Sequence, residues 1–232
     1  MPETGYSRSP KLQKGALVQL VETLGLPIPN IVPFQYNPAS LKRSLKPWNP
    51  LEVDQNQKGL PSPTAQPFDP EESITVDVEV DAVNQLEDDD PVATRVGVAD
   101  RIAALEKMLF PGDSPLGQLL SAAASLLGAG AQPPKRKTVP VTLFVWGVGR
   151  IVPVRITSYT IEEQLFLPSL YPIMARISLG MQVLPPDVFQ GVSGPTVDIA
   201  KAAYSLFRKQ QDALALAQTS RAVESIRSLL PF

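Results

Sequence analysis

Three carboxylates alternate along the segment Ser73–Asp81, which reads SITVDVEVD. In a β-strand, Asp77, Glu79 and Asp81 share one face and lie within reach of each other. Neighbouring carboxylates can serve general acid–base chemistry, but such a site also needs a pocket and a companion group, and the sequence indicates neither. We therefore interpret the segment as an amphipathic strand. Its opposite face carries Ile74, Val76, Val78 and Val80.

Three other charged or glycine-bearing motifs could bind an ion or a phosphate, and each has a simpler explanation as a turn or loop. Glu87–Asp90 could offer oxygen ligands to Ca²⁺ or Mg²⁺, but it lacks the spacing and glycine of an EF-hand loop, so a solvated turn is expected. Gly147–Arg150 resembles a piece of a phosphate-binding loop, yet it precedes a strand and lacks the P-loop lysine. A hairpin turn explains it better. Lys135–Lys137 is predicted to be an exposed basic loop.

The composition excludes several kinds of chemistry. The chain of 232 residues has no cysteine and no histidine, so disulfides, thiolate metal sites and Ser–His or Cys–His nucleophiles are excluded. A net charge of -2 disfavours nucleic acid as a partner. We expect no catalytic residue, no cofactor and no metal. An enzyme that uses carboxylates alone remains a rival interpretation.

Hydrophobic periodicity predicts the elements that position these residues. Strands are expected at Gly15–Glu22, Ile31–Tyr36 (an edge strand, because Pro33 interrupts it), Ser73–Asp81, Val139–Trp146, Ile151–Ile161 and Ile173–Leu184. The last three form an antiparallel meander, with a connection over Glu162–Pro172. Helices are expected at Val98–Phe110 with Asp100 as N-cap, at Leu116–Leu127, and at Thr196–Leu230, where Ile199, Ala203, Leu206, Phe207, Leu214 and Ala217 form the apolar stripe.

The chain divides into a flexible N-terminus (1–13), a β domain (14–185) and a helical extension (186–232). The β domain contains a Pro-rich arm at about 47–70 and a helical insert at about 98–131. The N-terminus has no apolar core of the signal-peptide type, and no stretch is apolar enough to span a membrane. We expect a protein made in the cytoplasm, without direct membrane insertion.

Five blocks in register resemble the tube-protein family of contractile injection systems. They are KGALVQLVE (14–22), IVPFQYNP (31–38) with Leu41–Ser44, VDVEVDAVNQL (76–86), the helix of Val98–Pro111, and the core LFVWGVGRIVPVRI (143–156) with YTIEEQLFLPSLYPIMARISLGMQVL (159–184). The resemblance runs from about Lys14 to Leu184. Many members carry a C-terminal LysM module, for which Pro185–Phe232 is too short and too helical.

The periodicity predicts an α+β fold, with an antiparallel sheet, one or two helices and a C-terminal helical tail, and the resemblance implies that the sheet forms a tube-protein-like split β-barrel or sandwich. It also implies a ring, six copies in the family, that joins the central spike and baseplate to the inner tube. The implied partners are other copies, the spike, inner-tube or tube-initiator subunits and baseplate wedge proteins. Candidate inter-subunit residues are Phe34, Gln35, Tyr36, Asn37, Pro38, Leu41, Arg43, Trp48, Arg150, Phe207 and Phe232. Candidate lumen-facing residues are Thr75, Asp77, Glu79 and Asp81.

Two alternatives within this picture stay open. The chain could be a main inner-tube subunit, although the arm and the tail are extra relative to a plain tube protein. It could also be a glycan- or cell-wall-binding module carried on the particle, although two tryptophans provide little for sugar stacking. The helical tail either packs on its own domain or reaches a neighbour.

Overall fold

The protein is an α+β chain built on one open sheet. The computed structural model describes residues 14–23, 26–49, 64, 66–110 and 139–229. Seven strands pair only with antiparallel neighbours, in the order β2-β1-β5-β6-β7-β4-β3. The strands are β1 (Ala16–Thr23), β2 (Leu26–Pro33), β3 (Leu41–Lys46), β4 (Glu71–Asp81), β5 (Val141–Val145), β6 (Ile151–Phe166) and β7 (Pro172–Val183).

The described helices are short except for the last. They are α1 (Val83–Glu87), α2 (Ala93–Val96), α3 (Ala99–Lys107) and α4 (Pro195–Leu229), with a 3₁₀ turn at Pro186–Phe189 before α4. No helix in this part of the chain is long and apolar enough to cross a membrane.

The predicted meander is confirmed, since β5, β6 and β7 are neighbours in the sheet. Its second strand is longer than predicted: β6 continues to Phe166 and pairs with β7 as far as Pro172. The connection predicted over Glu162–Pro172 is therefore wrong in its first half. The missed part, from Glu162 to Phe166, has no buried residue, so no apolar alternation marks it in the sequence.

The two edge strands were predicted less well. β2 is an edge strand as expected, but it begins at Leu26 and ends at Pro33, before Phe34. Its three prolines conceal a strand that pairs with β1 along its whole length. β3 was not predicted, because the sequence LKRSLK has only two apolar residues and one face in water.

One face of the sheet carries the core. On β4, Ile74, Val76 and Val78 are each at most 1% exposed, and Leu179 of β7 is fully buried beside Val76. Burying each such side chain contributes about 1.5–3 kcal/mol. The α3 helix covers this core with Ile102, Leu105 and Met108. Its N-cap is Val98, so the prediction of Asp100 as N-cap is wrong, and Asp100 lies in the first turn.

The first half of α4 packs on the sheet through a different stripe from the predicted one. Its buried residues are Val197, Ala200, Tyr204 and Phe207, spaced by three or four positions. Of the predicted stripe, Phe207 is buried as expected, whereas Leu206 and Leu214 are 55% and 64% exposed. The long helix itself is confirmed. The N-terminus 1–13, most of the arm and the predicted helix Leu116–Leu127 lie outside the described residues.

Candidate functional site

The carboxylates of β4 lie on the outer face of the sheet, as predicted. Thr75, Asp77 and Glu79 are exposed and Asp81 is half-buried, while the residues between them face the core. One cavity of about 370 Å³ lies near β3 and β4, and none of these four residues lines it. The carboxylates therefore stand on an open surface.

The polar face continues across neighbouring strands. Thr75 lies opposite Lys42 of β3 and Gly180 of β7, and Asp77 lies opposite Ser178. On β6, Ser158, Thr160, Glu162 and Gln164 continue the same rows beyond β7. Four adjacent strands thus present hydroxyl, amide and charged side chains to one side.

Arg176 lies at the centre of this face. Register places it between Glu79 of β4 and Glu162 of β6. Its Nη2 donates to Glu79 Oε1 at 2.7 Å. That hydrogen bond and the nearby carboxylate charges raise the pKa of the Arg176 guanidinium. The arginine thereby neutralises part of the acidic row.

The segment 34–38 contacts its own chain. Phe34 is 2% exposed, with its ring 6.2 Å from that of Phe144. The Asn37 side-chain oxygen accepts from the Gly15 amide at 2.9 Å. The ring of Phe34 therefore belongs to the core and is unavailable to a neighbouring subunit, which corrects its assignment as an interface residue. Pro38 is half-buried.

Gln35 links this segment to the end of β4 and to α3. Its Oε1 accepts from the Asp81 amide at 3.1 Å and from Arg101 Nη1 at 2.5 Å. Arg101 also donates to the Asp81 carbonyl oxygen at 2.6 Å. The hydroxyl of Tyr36 lies beside them, and a hydrogen bond to the Asp81 carboxylate raises the pKa of Tyr36. This cluster closes the corner between β2 and β4.

Arg43 and Phe207 also serve the chain's own packing. Arg43 forms an ion pair with the buried Glu72, and its guanidinium lies 5.2 Å from the Phe207 ring centroid. Phe207 is 3% exposed and meets Trp146 edge-on at 5.5 Å. Phe207 therefore fixes α4 on its own sheet, so it too is removed from the interface candidates. Leu41 and Trp48 are half-buried.

The glycine motif forms a hairpin turn, as predicted. Trp146 donates to the Arg150 carbonyl oxygen and Arg150 to that of Gly147, both at 3.1 Å. Arg150 is exposed and lies over the Trp146 ring at 5.1 Å. Gln210 of α4 donates to the Val148 carbonyl oxygen at 3.1 Å, so the helix holds the turn.

The acidic run ends in a helix cap. Asp90 Oδ1 accepts from the amides of Val92 and Ala93 at 2.9 Å, which caps the start of α2. In the described ranges, no group of three or more acidic residues is arranged to hold a metal ion. Lys135–Lys137 and Phe232 lie outside those ranges.

Sequence reasoning missed the open edges of the sheet. β5 pairs with β6 only over Ile151–Val154, and no other described strand lies beside the rest of that side of β6. β3 is the edge on the other side. The open edge follows from the pairing of β6, which pairs with β7 as far as Phe166 but with β5 only as far as Val154. The sequence alone does not show this difference.

Comparison with known proteins adds no relative. Neither protein-family models nor curated proteins match this chain.

Proposed function

We propose that this chain is a structural ring subunit of a contractile injection particle, joining the spike and baseplate to the inner tube. The observation that carries the proposal is the four-strand polar face of β6, β7, β4 and β3, whose two side edges, β3 and the second half of β6, pair with no other described strand. A face of this kind suits the wall of a water-filled channel. The opposite face is sealed by the chain's own core and helices.

The four strands that each copy contributes determine the circumference of the ring. Neighbouring strands lie about 4.8 Å apart, so each copy contributes about 19 Å of wall. Six copies, the number that the family resemblance implies, with strands tilted by about 36° as in closed barrels, would close a circumference of about 142 Å and a backbone diameter of about 45 Å. This sheet is the arc of the split barrel or sandwich that the resemblance implies. Closed cyclic symmetry would keep the assembly finite.

The hairpin between β6 and β7 provides an axial contact. Leu165, Phe166, Leu170 and Tyr171 are between 44% and 79% exposed at its tip. Contiguous exposed apolar side chains are typical of interaction sites. Because the tip extends along the strand direction, it would meet the next component along the channel, namely the spike or a tube ring. The exposed part of α4 is suited to a baseplate wedge partner.

The test is the mass of the purified chain, alone and with spike and tube proteins, with negative-stain imaging. We expect a closed particle of about 150 kDa for six copies of the 25.1 kDa chain, either alone or on adding the spike. A truncation after Gln211 should keep the fold and the ring and should lose binding of the baseplate wedge protein, because residues 212–219 of α4 are exposed.

Two results would change this assignment. Rings that stack on themselves without limit would support a main inner-tube subunit instead. A strict monomer that ignores both partners and binds a glycan would overturn the ring and support a particle-borne binding module.

A further inference from the structure

The outer edge of β2 is closed to strand addition. The Phe34 amide donates to the Gly15 carbonyl oxygen at 2.8 Å, which makes these two residues a hydrogen-bonded pair of the β1–β2 ladder. Bonded and non-bonded pairs alternate in antiparallel sheets, so residues 27, 29, 31 and 33 point their backbone groups outward. Three of these four are proline and have no N–H. Only Ile31 could donate to an added strand.

The outer edge of β3 is different. The Ala82 amide donates to the Ile173 carbonyl oxygen at 2.9 Å, which fixes the alternation between β4 and β7. Residues of β4 that bond to β7 alternate with residues that bond to β3. The backbone N–H and C=O groups of Leu41, Arg43 and Leu45 therefore point away from β4. None of these residues is proline, so this edge keeps all its donors.

The second half of β6 offers a matching edge. By the same alternation, Tyr159, Ile161 and Glu163 turn their backbone groups away from β7. Among the described strands, none pairs with them, because β5 reaches only Val154.

We propose that β3 of one copy pairs with this half of β6 in a second copy, and that β2 takes no part in the ring. The inference rests on the proposed ring function and names its contact. In the sheet, β6 and β4 run one way, whereas β7 and β3 run the other. Copies in the same orientation therefore place β3 antiparallel to the next β6. An even number of strands per copy makes every pair around the ring antiparallel.

A stagger of four residues between copies gives the register. Within one chain, Leu41 is level with Tyr159 through Val76 and Leu179. Closed barrels shift by about one residue per strand at a tilt of about 36°, hence by about four residues for four strands. Towards the C-terminal end of β6, that shift brings Leu41 opposite Glu163 of the second copy. The opposite shift would place most of β3 beside the residues of β6 that β5 already pairs.

The same register pairs two opposite charges. Lys42 falls opposite Glu162 of the second copy, both on the polar face. Both side chains are exposed, and neither has a salt bridge within the described part of its own chain. Glu162 accepts from Gln164 Nε2 at 2.8 Å and lies opposite Arg176, and an ion pair across the contact would add a second cation beside it. The even shift keeps polar and apolar faces aligned.

Cysteine cross-linking tests this register directly, because the chain has no cysteine of its own. Lys42→Cys and Glu162→Cys would form a non-hydrogen-bonded pair with a Cα separation of about 4.5 Å, which suits a disulfide. Within one chain the two positions lie on strands three steps apart, about 14 Å, so no internal disulfide can form.

We expect the double variant, on mild oxidation, to convert the monomer band into a ladder that ends at the ring size. Each single variant should give no ladder, and a mixture of the two should stop at a dimer. The matched control is Ile31→Cys with Glu162→Cys, since Ile31 is 58% exposed and faces outward from β2. The control should remain monomeric on a denaturing gel.

Native mass, measured on the same samples, separates this inference from the ring itself. A ring of normal mass without the Lys42–Glu162 cross-link, or with the Ile31 cross-link, overturns the edge assignment and leaves the ring standing. A monomer without any cross-link overturns both. Lys42→Glu and Glu162→Lys should each weaken the ring, so that it dissociates at a higher protein concentration, and their combination should restore it.

Discussion

The carbonyl oxygen of Pro172 occupies the space that a side chain on Gly97 would need. A β-carbon at Gly97 would lie 2.0 Å from that oxygen, and Gly97 has a φ of 56°. The same oxygen accepts from the Val98 amide at 2.9 Å. Through this contact, the turn before α3 is fixed to the first residue of β7.

Gly97→Ala should therefore be strongly destabilising. Left-handed backbone costs a non-glycine residue about 1–2 kcal/mol, and the clash adds to it, so we expect a loss of about 2–4 kcal/mol. Urea unfolding measures this loss. Gly191→Ala is the matched control, because Gly191 also has a positive φ of 74° but no atom within 4 Å of the added carbon. It should lose only about 1 kcal/mol, and equal losses in the two variants would contradict the role of Pro172.

Removing Arg43 should expose the cost of a buried carboxylate. Glu72 is 6% exposed, and Arg43 Nη2 donates to its Oε2 at 2.9 Å. Arg43→Ala should lose about 3 kcal/mol in urea unfolding, because Glu72 is left buried without its cation. The double variant Arg43→Met/Glu72→Leu should recover most of that loss. Arg176→Ala, which breaks the exposed pair with Glu79, should have a much smaller effect.

Two tyrosines should respond oppositely to loss of the hydroxyl. The buried hydroxyl of Tyr159 has no hydrogen-bond partner among the described residues, whereas that of Tyr204 donates to Asp69 Oδ2 at 2.7 Å. Tyr159→Phe should gain about 1 kcal/mol, and Tyr204→Phe should lose about 1–2 kcal/mol. Thermal and urea unfolding at neutral pH measure both changes. A loss in Tyr159→Phe would show that the hydroxyl has a partner in solution.

Stability should also fall at alkaline pH. Burial raises the pKa of Tyr159 to about 12, and the charges of Glu106 and Glu163 act in the same direction. The pKa in the unfolded chain is about 10. The stabilisation is therefore complete below pH 10 and is lost as the pH rises towards 12. Tyr159→Phe should show a shallower decline over this interval, and an unchanged slope would exclude Tyr159 as its source.

Leu170 should tolerate a polar replacement well. It is 79% exposed with a φ of 66°, a left-handed conformation that asparagine adopts more readily than leucine. Leu170→Asn should gain about 0.5–1 kcal/mol in urea unfolding. Leu26→Asn is the control, because Leu26 is 67% exposed on an ordinary strand, and it should lose stability. If the tip contacts the spike, Leu170→Asn should weaken that binding while the free energy of unfolding increases.

Alternation of residue type made much of this fold predictable. In β4, valine and isoleucine alternate with acidic residues, so both the strand and its polar face follow from sequence. β3 carries no such pattern, because an edge strand with few buried side chains leaves little apolar periodicity. The burial of Phe34 agrees with its residue type, since phenylalanine is among the residues most often fully buried, but its packing against Phe144 was not predictable from the sequence. The positions of Pro27, Pro29 and Pro33 on one edge of β2 could have been predicted, because all three are odd-numbered residues of a strand with a period of two.

The length of β6 gives the molecule a direction. Its 16 residues extend about 50 Å, so the turn with Arg150 and the tip with Leu170 lie at opposite ends of one strand. Any object made of such chains packed side by side in one orientation has two unlike rims, one formed by the turn with Arg150 and the other by the exposed apolar side chains of the β6–β7 tip. Covering the apolar rim with a partner removes nonpolar surface from water and lowers the free energy. The rim with Arg150 is already solvated and has no such drive to be covered. A particle built on this subunit would thus be completed from one side, and the order of its assembly would be encoded in a single strand.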